Sequence, residues 1–288
     1  MSAYPTFANV NQAGPMGQAV DTAVAWLLNN GEGFFSVVQQ SIQWLTSGLE
    51  TALNWPFPWA VALLVAMAGW RLVGGSFALF SLLGLNLVLA LGLWEPMIAT
   101  LALVLVSSFL ALMIGFPLGV LGTRQKWIWR LIRPGLDLMQ TMPAFVYLIP
   151  AVMLFSTGAV PAIMATLIFA MPPIVRLTVL GINQVSEDLV EAGRSFGCND
   201  LQLLWMVQLP SAFPTVMSGV NQTIMLSLSM VVITSMIGGG GLGDVVLRGI
   251  QQLDVGLGFE GVIAVVILAV ILDRLSQGLS PARPQRTP

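Results

Sequence analysis

The 288-residue sequence is poor in charge and has no histidine. Only 8% of residues are Asp, Glu, Lys or Arg, against 56% hydrophobic. A soluble domain carries about 25% charged residues, so a water-soluble fold of this size could not cover its surface. The high apolar content excludes disorder for most of the chain. Absence of histidine removes imidazole catalysis and most zinc sites. The single cysteine, Cys198, cannot form an internal disulfide. A net charge of −2 does not support a basic nucleic-acid surface. Nor is there a Gly-rich phosphate loop ending in Gly-Lys-Ser/Thr. A polytopic membrane protein remains.

An apolar helix of about 20 residues crosses the hydrocarbon core. Seven stretches qualify as expected spans: 55–70, 74–94, 96–122, 135–155, 160–180, 215–237 and 259–278. Only Arg71 and Gly74-Gly75 separate the first two, so one long kinked helix is the alternative there, giving six. The eleven positive residues set the orientation. Arg71, Arg124, Lys126, Arg130, Arg133, Arg176, Arg194, Arg274, Arg283 and Arg286 fall on one side, Arg248 on the other. That places the N-terminus outside and the C-terminus inside.

Residues 1–54 contain no Lys or Arg, as a translocated tail requires, and no signal-peptide pattern. The first sixteen residues, with Pro5, Gly14 and Pro15, read as flexible. Beyond them Phe34, Phe35, Val38, Ile42, Leu45, Leu49 and Leu53 recur at helical spacing. This amphipathic helix either lies on the outer membrane face or packs against the bundle. Trp26, Trp44, Trp55, Trp59, Trp94, Trp127 and Trp129 suit interface-belt positions.

Ion-coupled carriers place ionisable groups within the membrane. Here Glu95, Asp137, Glu260 and Asp273 all fall near expected span ends, and Arg176 at the end of the fifth. A proton or sodium relay has no residues to run on. Active transport would then need energy from another chain, docked on the cytoplasmic side.

The largest cytoplasmic loop, 181–214, offers a dock. Ser186 followed by Glu187 and Asp188 is a helix start. Gly197 is placed to end that helix in a left-handed conformation. Asn199 or Asp200 can cap a second helix over 201–208, which Pro210 is expected to stop. Glu191-Ala192-Gly193, then Gly197, then Val207-Gln208-Leu209-Pro210 resembles the EAA loop of ABC importer permeases. Gly193 stands for the usual alanine and Val207 for isoleucine. Gln140 to Pro150, Pro172 to Gln184, Gly219 to Thr223, Ser229 to Ile237 with Gly240 to Gly243, and Ile271 to Leu275 resemble the glycine betaine/proline betaine permease family. The similarity covers about residues 95–280.

The resemblance implies an all-α polytopic bundle of the type I (MetI-like) importer permease class. Its organisation would be an outer tail (1–54), accessory helices (55–94), a permease domain (95–280) and an inner tail (281–288). It implies a homodimer, two cytoplasmic ABC ATPases and a periplasmic or lipid-anchored binding protein. This chain would need no cofactor and catalyse nothing; ATP and Mg belong to the ATPase. A permease for choline, carnitine or an amino acid is the nearest alternative, and a standalone channel or carrier a more distant one. Glu191, Ala192, Gly193, Arg194, Gly197, Leu209 and Pro210 would form the ATPase contact. Glu191 alone also reads as a solvated helix charge, and Arg194 as its i,i+3 partner. Gln140, Thr141, Tyr147, Asn221, Ser227 and Thr234 are candidate pathway residues, although polar groups within spans more often join helices. Gly238 to Gly243 reads as a flexible connection or a docking surface for the binding protein. A short amphipathic helix is expected over 244–257.

Overall fold

The computed structural model describes residues 14–279; Pro5, Arg283, Arg286 and the 281–288 tail lie outside them. The described residues form helices joined by short turns, with no strand among them. Four stretches are long and apolar enough to cross a membrane: Trp94–Arg124, Ala159–Asn183, Asp200–Ile237 and Val255–Gly278. Two further pairs qualify only together, each sharply bent, which makes up to six.

The first expected span proves short. Helix α1 (Pro15–Asn54) turns by 95° into α2 (Pro58–Leu72). Helix α3 (Gly75–Ala90) follows α2 after two residues. These are separate helices of 15 and 16 residues, not one kinked rod. At 1.5 Å per residue each is about 22–24 Å long, short of the ~30 Å hydrocarbon core. Gly74, at φ +137°, makes the turn, and the Phe77 ring folds back against Gly69.

Helix α1 begins at Pro15, within the stretch expected to be flexible. Its apolar stripe packs on the bundle. Ile42 and Thr46 are buried, and Phe35, Val38, Leu45, Leu49 and Leu53 pack against the main core; Phe34 stays exposed. The Phe35 and Phe155 rings meet edge to face at 5.7 Å. Farther along, Leu45 and Leu49 share an apolar cleft with Leu105, Val106 and Phe109 of α4 (Trp94–Arg124). Those residues lie about 16–22 Å along α4 from Trp94, so α1 reaches well past the Trp94 end of the bundle.

The expected span 135–155 is also broken. Helix α5 (Lys126–Thr141) meets α6 (Leu148–Phe155), through a 3-10 turn at Ala144–Tyr147, with a bend of 113°. Pro143 has no N–H and disfavours helical backbone in the residue before it. Met142 is accordingly extended, with ψ 139°.

Helices α7 (Ala159–Ala170) and α8 (Pro172–Asn183) form one crossing. The α4–α8 contact is close because Gly119 has no side chain. A Cβ there would stand 2.7 Å from Thr178 Cβ and 2.9 Å from the Val175 carbonyl. The end of the bundle carrying Arg124 and Asn183 is called the inner end below. After a loop with α9 (Glu187–Ser195) and α10 (Asp200–Leu203), α11 (Leu209–Thr234) returns.

At the opposite end the Gly238–Gly243 run is packed, not a loose connection. Its backbone is tied by Gly239 N–H to the Thr234 carbonyl and by Gly158 N–H to the Ile237 carbonyl, both 3.0 Å. Leu242 N–H donates to Thr100 Oγ1 at 2.7 Å, fixing α12 (Gly241–Gln251) on α4. The helix expected over 244–257 is thus shifted. Leu253 has φ +55°, and Asp254 caps α13 (Val255–Gly278) by accepting from Leu257 N–H.

Candidate functional site

The inner loop is a helix, a glycine turn and a second helical segment. Ser186 sits at the N-cap of α9 but its side chain makes no capping bond. Glu187 and Asp188 occupy the first turn, against the positive end of the dipole. Gly197 closes α9 at φ +81°. Cys198 N–H donates to the Gly193 carbonyl at 3.1 Å, and Gly197 N–H to the Arg194 carbonyl at 2.9 Å. Asn199 then forms a reciprocal capping box with Gln202, at 2.8 and 2.9 Å.

Pro210 does not stop the second segment. The chain passes through a π turn, Leu204–Gln208, directly into α11. Leu209 N–H donates to the Leu204 carbonyl, five residues back. Proline at the first turn of a helix loses no bond that helix needs, and the wider turn absorbs its ring. Residues 200–237 are therefore one continuous helical body.

The EAA residues divide by burial. Gly193 is buried against Leu203 and Val207, whereas Glu191, Ala192, Arg194 and Pro210 are exposed and Leu209 is half-buried. Glu191 and Arg194 do not pair. Among the described residues the side-chain ion pairs are Arg176–Asp137 and Arg248–Asp244. Arg194 instead lines a polar cavity of about 270 Å³ with Arg124, Asn183 and Gln208. Arg124 Nη2 donates to the Asp200 carbonyl, tying the loop to the end of α4. Phe196 projects at the tip, 90% exposed, with Leu189, Leu201, Trp205 and Met206 also exposed.

The candidate pathway residues scatter. Gln140 and Thr141 are exposed beside the α5–α6 break. Tyr147 is buried, and its hydroxyl donates to the Met139 carbonyl at 2.7 Å, bracing that break. Asn221 is a helix joint: its Nδ2 donates to Asp273 Oδ1 at 3.2 Å, and Ser276 Oγ donates to its Oδ1 at 2.5 Å. Ser227 and Thr234 share a face, as their spacing requires, but it is the packed face. Both are fully buried, and Thr234 Oγ1 donates to the Val231 carbonyl. The open polar face of α11 carries Ser218, Gln222 and Ser229, and Asn221 lines a polar cavity of about 480 Å³ with Ser218, Gln222, Ser276 and Gln277.

A pair missed from sequence stands between α5 and α8. Asp137 and Arg176 form an ion pair whose side chains are 53% and 37% exposed. Arg176 is not at a span end; its helix continues seven residues to Asn183. Opposite charges in two neighbouring spans are the signal that could have found it.

A family model described as "Binding-protein-dependent transport system inner membrane component" matches residues 111–283. The glycine betaine/proline betaine transport system permease protein ProW of Escherichia coli K12 is 47% identical over 266 residues, spanning 92% of this chain and 75% of that protein. The glycine betaine transport system permease protein OpuAB of Bacillus subtilis 168 is 43% identical over 272 residues, 94% and 96% of the respective chains. An inward-facing structure of the MetNI methionine ABC transporter matches with TM-score 0.58 at 23% identity, covering 64% of this chain and 93% of that one. At that identity the likeness concerns the fold.

Proposed function

The chain belongs to the family of binding-protein-dependent transport system inner membrane components, and from that premise we propose that it carries glycine betaine or proline betaine across the membrane. It is a multi-pass permease subunit of an ABC importer, and hydrolysis in such a system belongs to a separate ATPase subunit. The substrate assignment is supported by the relatives, which are named for these betaines.

Two copies of this chain form the pathway. Ser218, Gln222 and Ser229 leave a polar stripe open on a membrane-spanning helix, which lipid does not solvate. A second copy covers that stripe and encloses water between the two. The bias of ten of the eleven positive residues to one side supports a cytoplasmic inner end, with the N-terminus outside. α1 to α3 form an accessory unit on the side of the permease domain. ATP and Mg reside on the ATPase, and this chain holds no cofactor.

One observation carries the mechanism: the loop is mechanically continuous with α11, because residues 200–237 run without a helix break. Phe196 and the exposed α9 face, with Glu191, Ala192 and Arg194, seat in the ATPase. Closure of the ATPase dimer moves the loop, and the π turn hands that movement to α11. The pathway opens outward, takes substrate from the binding protein and reopens inward.

The test is ATP-driven uptake of labelled glycine betaine into proteoliposomes holding this chain, its ATPase and the binding protein. Uptake that needs all three components supports the reading. Uptake by this chain alone would indicate a channel or carrier and overturn it.

A further inference from the structure

We propose that Asp137 and Arg176 form a transit site for a zwitterionic substrate, opening their mutual ion pair to hold its two charges. The proposal rests on the betaine-permease reading above and deepens it. The pair joins α5 to α8 across 39 residues of sequence. Arg176 lies seven residues before the inner end of its crossing, about 10 Å along the helix. Charges at that depth do not face lipid; they face protein or a water-filled cavity. With side chains 53% and 37% exposed, these two are open to whatever fills that space.

A second observation marks the same place as wet. The α5–α6 break begins five residues after Asp137, at Met142. Non-helical backbone at membrane depth persists only where protein buries it or where it lines a water-filled cavity. Gln140 and Thr141 stand exposed before the break, and Phe145 is exposed just after it.

The chemistry fits a trimethylammonium carboxylate. Its carboxylate matches the guanidinium fork of Arg176. Its quaternary nitrogen has no N–H, so it needs only a nearby negative charge or an aromatic face. Asp137 supplies the first. The empty site is neutral, because the two side chains satisfy each other. Occupancy must first break that ion pair, so substrate is held weakly and released readily. A cation without a carboxylate would leave Arg176 unpaired, which is costly away from bulk water.

Saturation-transfer NMR from the assembled permease–ATPase complex, without binding protein, tests this. The signals are the N-methyl protons of glycine betaine and, separately, choline. Wild type is expected to saturate betaine about tenfold more effectively than choline. Asp137→Asn with Arg176→Gln keeps a hydrogen-bonding pair and should remove that preference. If the double variant does not assemble with the ATPase, Arg176→Lys replaces it, with an expected loss of about threefold for betaine. Equal saturation of betaine and choline by wild type, or unchanged saturation in an assembled variant, overturns the transit site. Failure of ATP-driven betaine uptake by the wild-type system would instead overturn the functional reading beneath it.

Discussion

Gly193 of α9 lies against Leu203 of α10 so closely that a Cβ would stand 2.7 Å from Leu203 Cδ1. This contact explains why glycine stands where the importer pattern usually has alanine. It also sets how the two arms of the inner loop fold on each other. Gly193→Ala gains up to about 1 kcal/mol of helix propensity. Against that stands overpacking of about 1–3 kcal/mol, moderated because Leu203 Cδ1 is the flexible end of its side chain. The expected result is a modest fall in ATPase stimulation by loaded binding protein. Gly193→Leu cannot be accommodated and should abolish stimulation while the protein still inserts in the membrane. Hydrolysis rates in nanodiscs check both.

Phe196 is the most exposed apolar residue of the loop. A buried aromatic anchor commonly contributes 2 kcal/mol or more to an interface. Phe196→Asp should weaken capture of the ATPase about thirtyfold or more. Affinity measured with the purified permease and ATPase reads this directly.

The Leu204–Gln208 π turn directly precedes Pro210, whose ring fits the wider turn better than an ordinary α-turn. Pro210→Ala restores the donor and lets the turn tighten to an ordinary α-helix. That rotates the loop relative to α11. Uptake per ATP hydrolysed should fall while hydrolysis continues, as paired uptake and phosphate-release assays would show.

Asn221 ties α11 to Asp273 and Ser276 of α13. Asn221→Leu removes two hydrogen bonds between the helices, while Ser276 Oγ keeps the Asp273 carbonyl and Asp273 Oδ1 keeps Gln277 Nε2. A loss of about 1–3 kcal/mol is expected, seen as a lower Tm in detergent. Betaine uptake by the folded fraction should fall as well, because Asn221 lines the same polar cavity as Ser218 and Gln222.

Much of this was legible in the sequence. The apolar runs located four of the crossings, and the α1 stripe from Phe35 to Leu53 has the periodicity of the face it buries. Gly197 announced a left-handed turn because few other residues tolerate one. What failed has physical causes. Pro143 bends one crossing while Pro210 merely widens a turn, and only the surrounding backbone decides which. Ser227 and Thr234 share a face by spacing, but spacing does not say which neighbour that face meets. Asp137 and Arg176 are far apart in sequence, and only packing makes them a pair.

The most direct test of the central claim, that the inner loop couples a partner ATPase to this pathway, is the ratio of betaine imported to ATP hydrolysed for Gly197→Pro. Proline cannot adopt the +81° φ that closes α9. Wild type is expected to accumulate betaine, and the variant to show a ratio near zero despite normal insertion in the membrane. A variant that imports betaine with the wild-type ratio would contradict it.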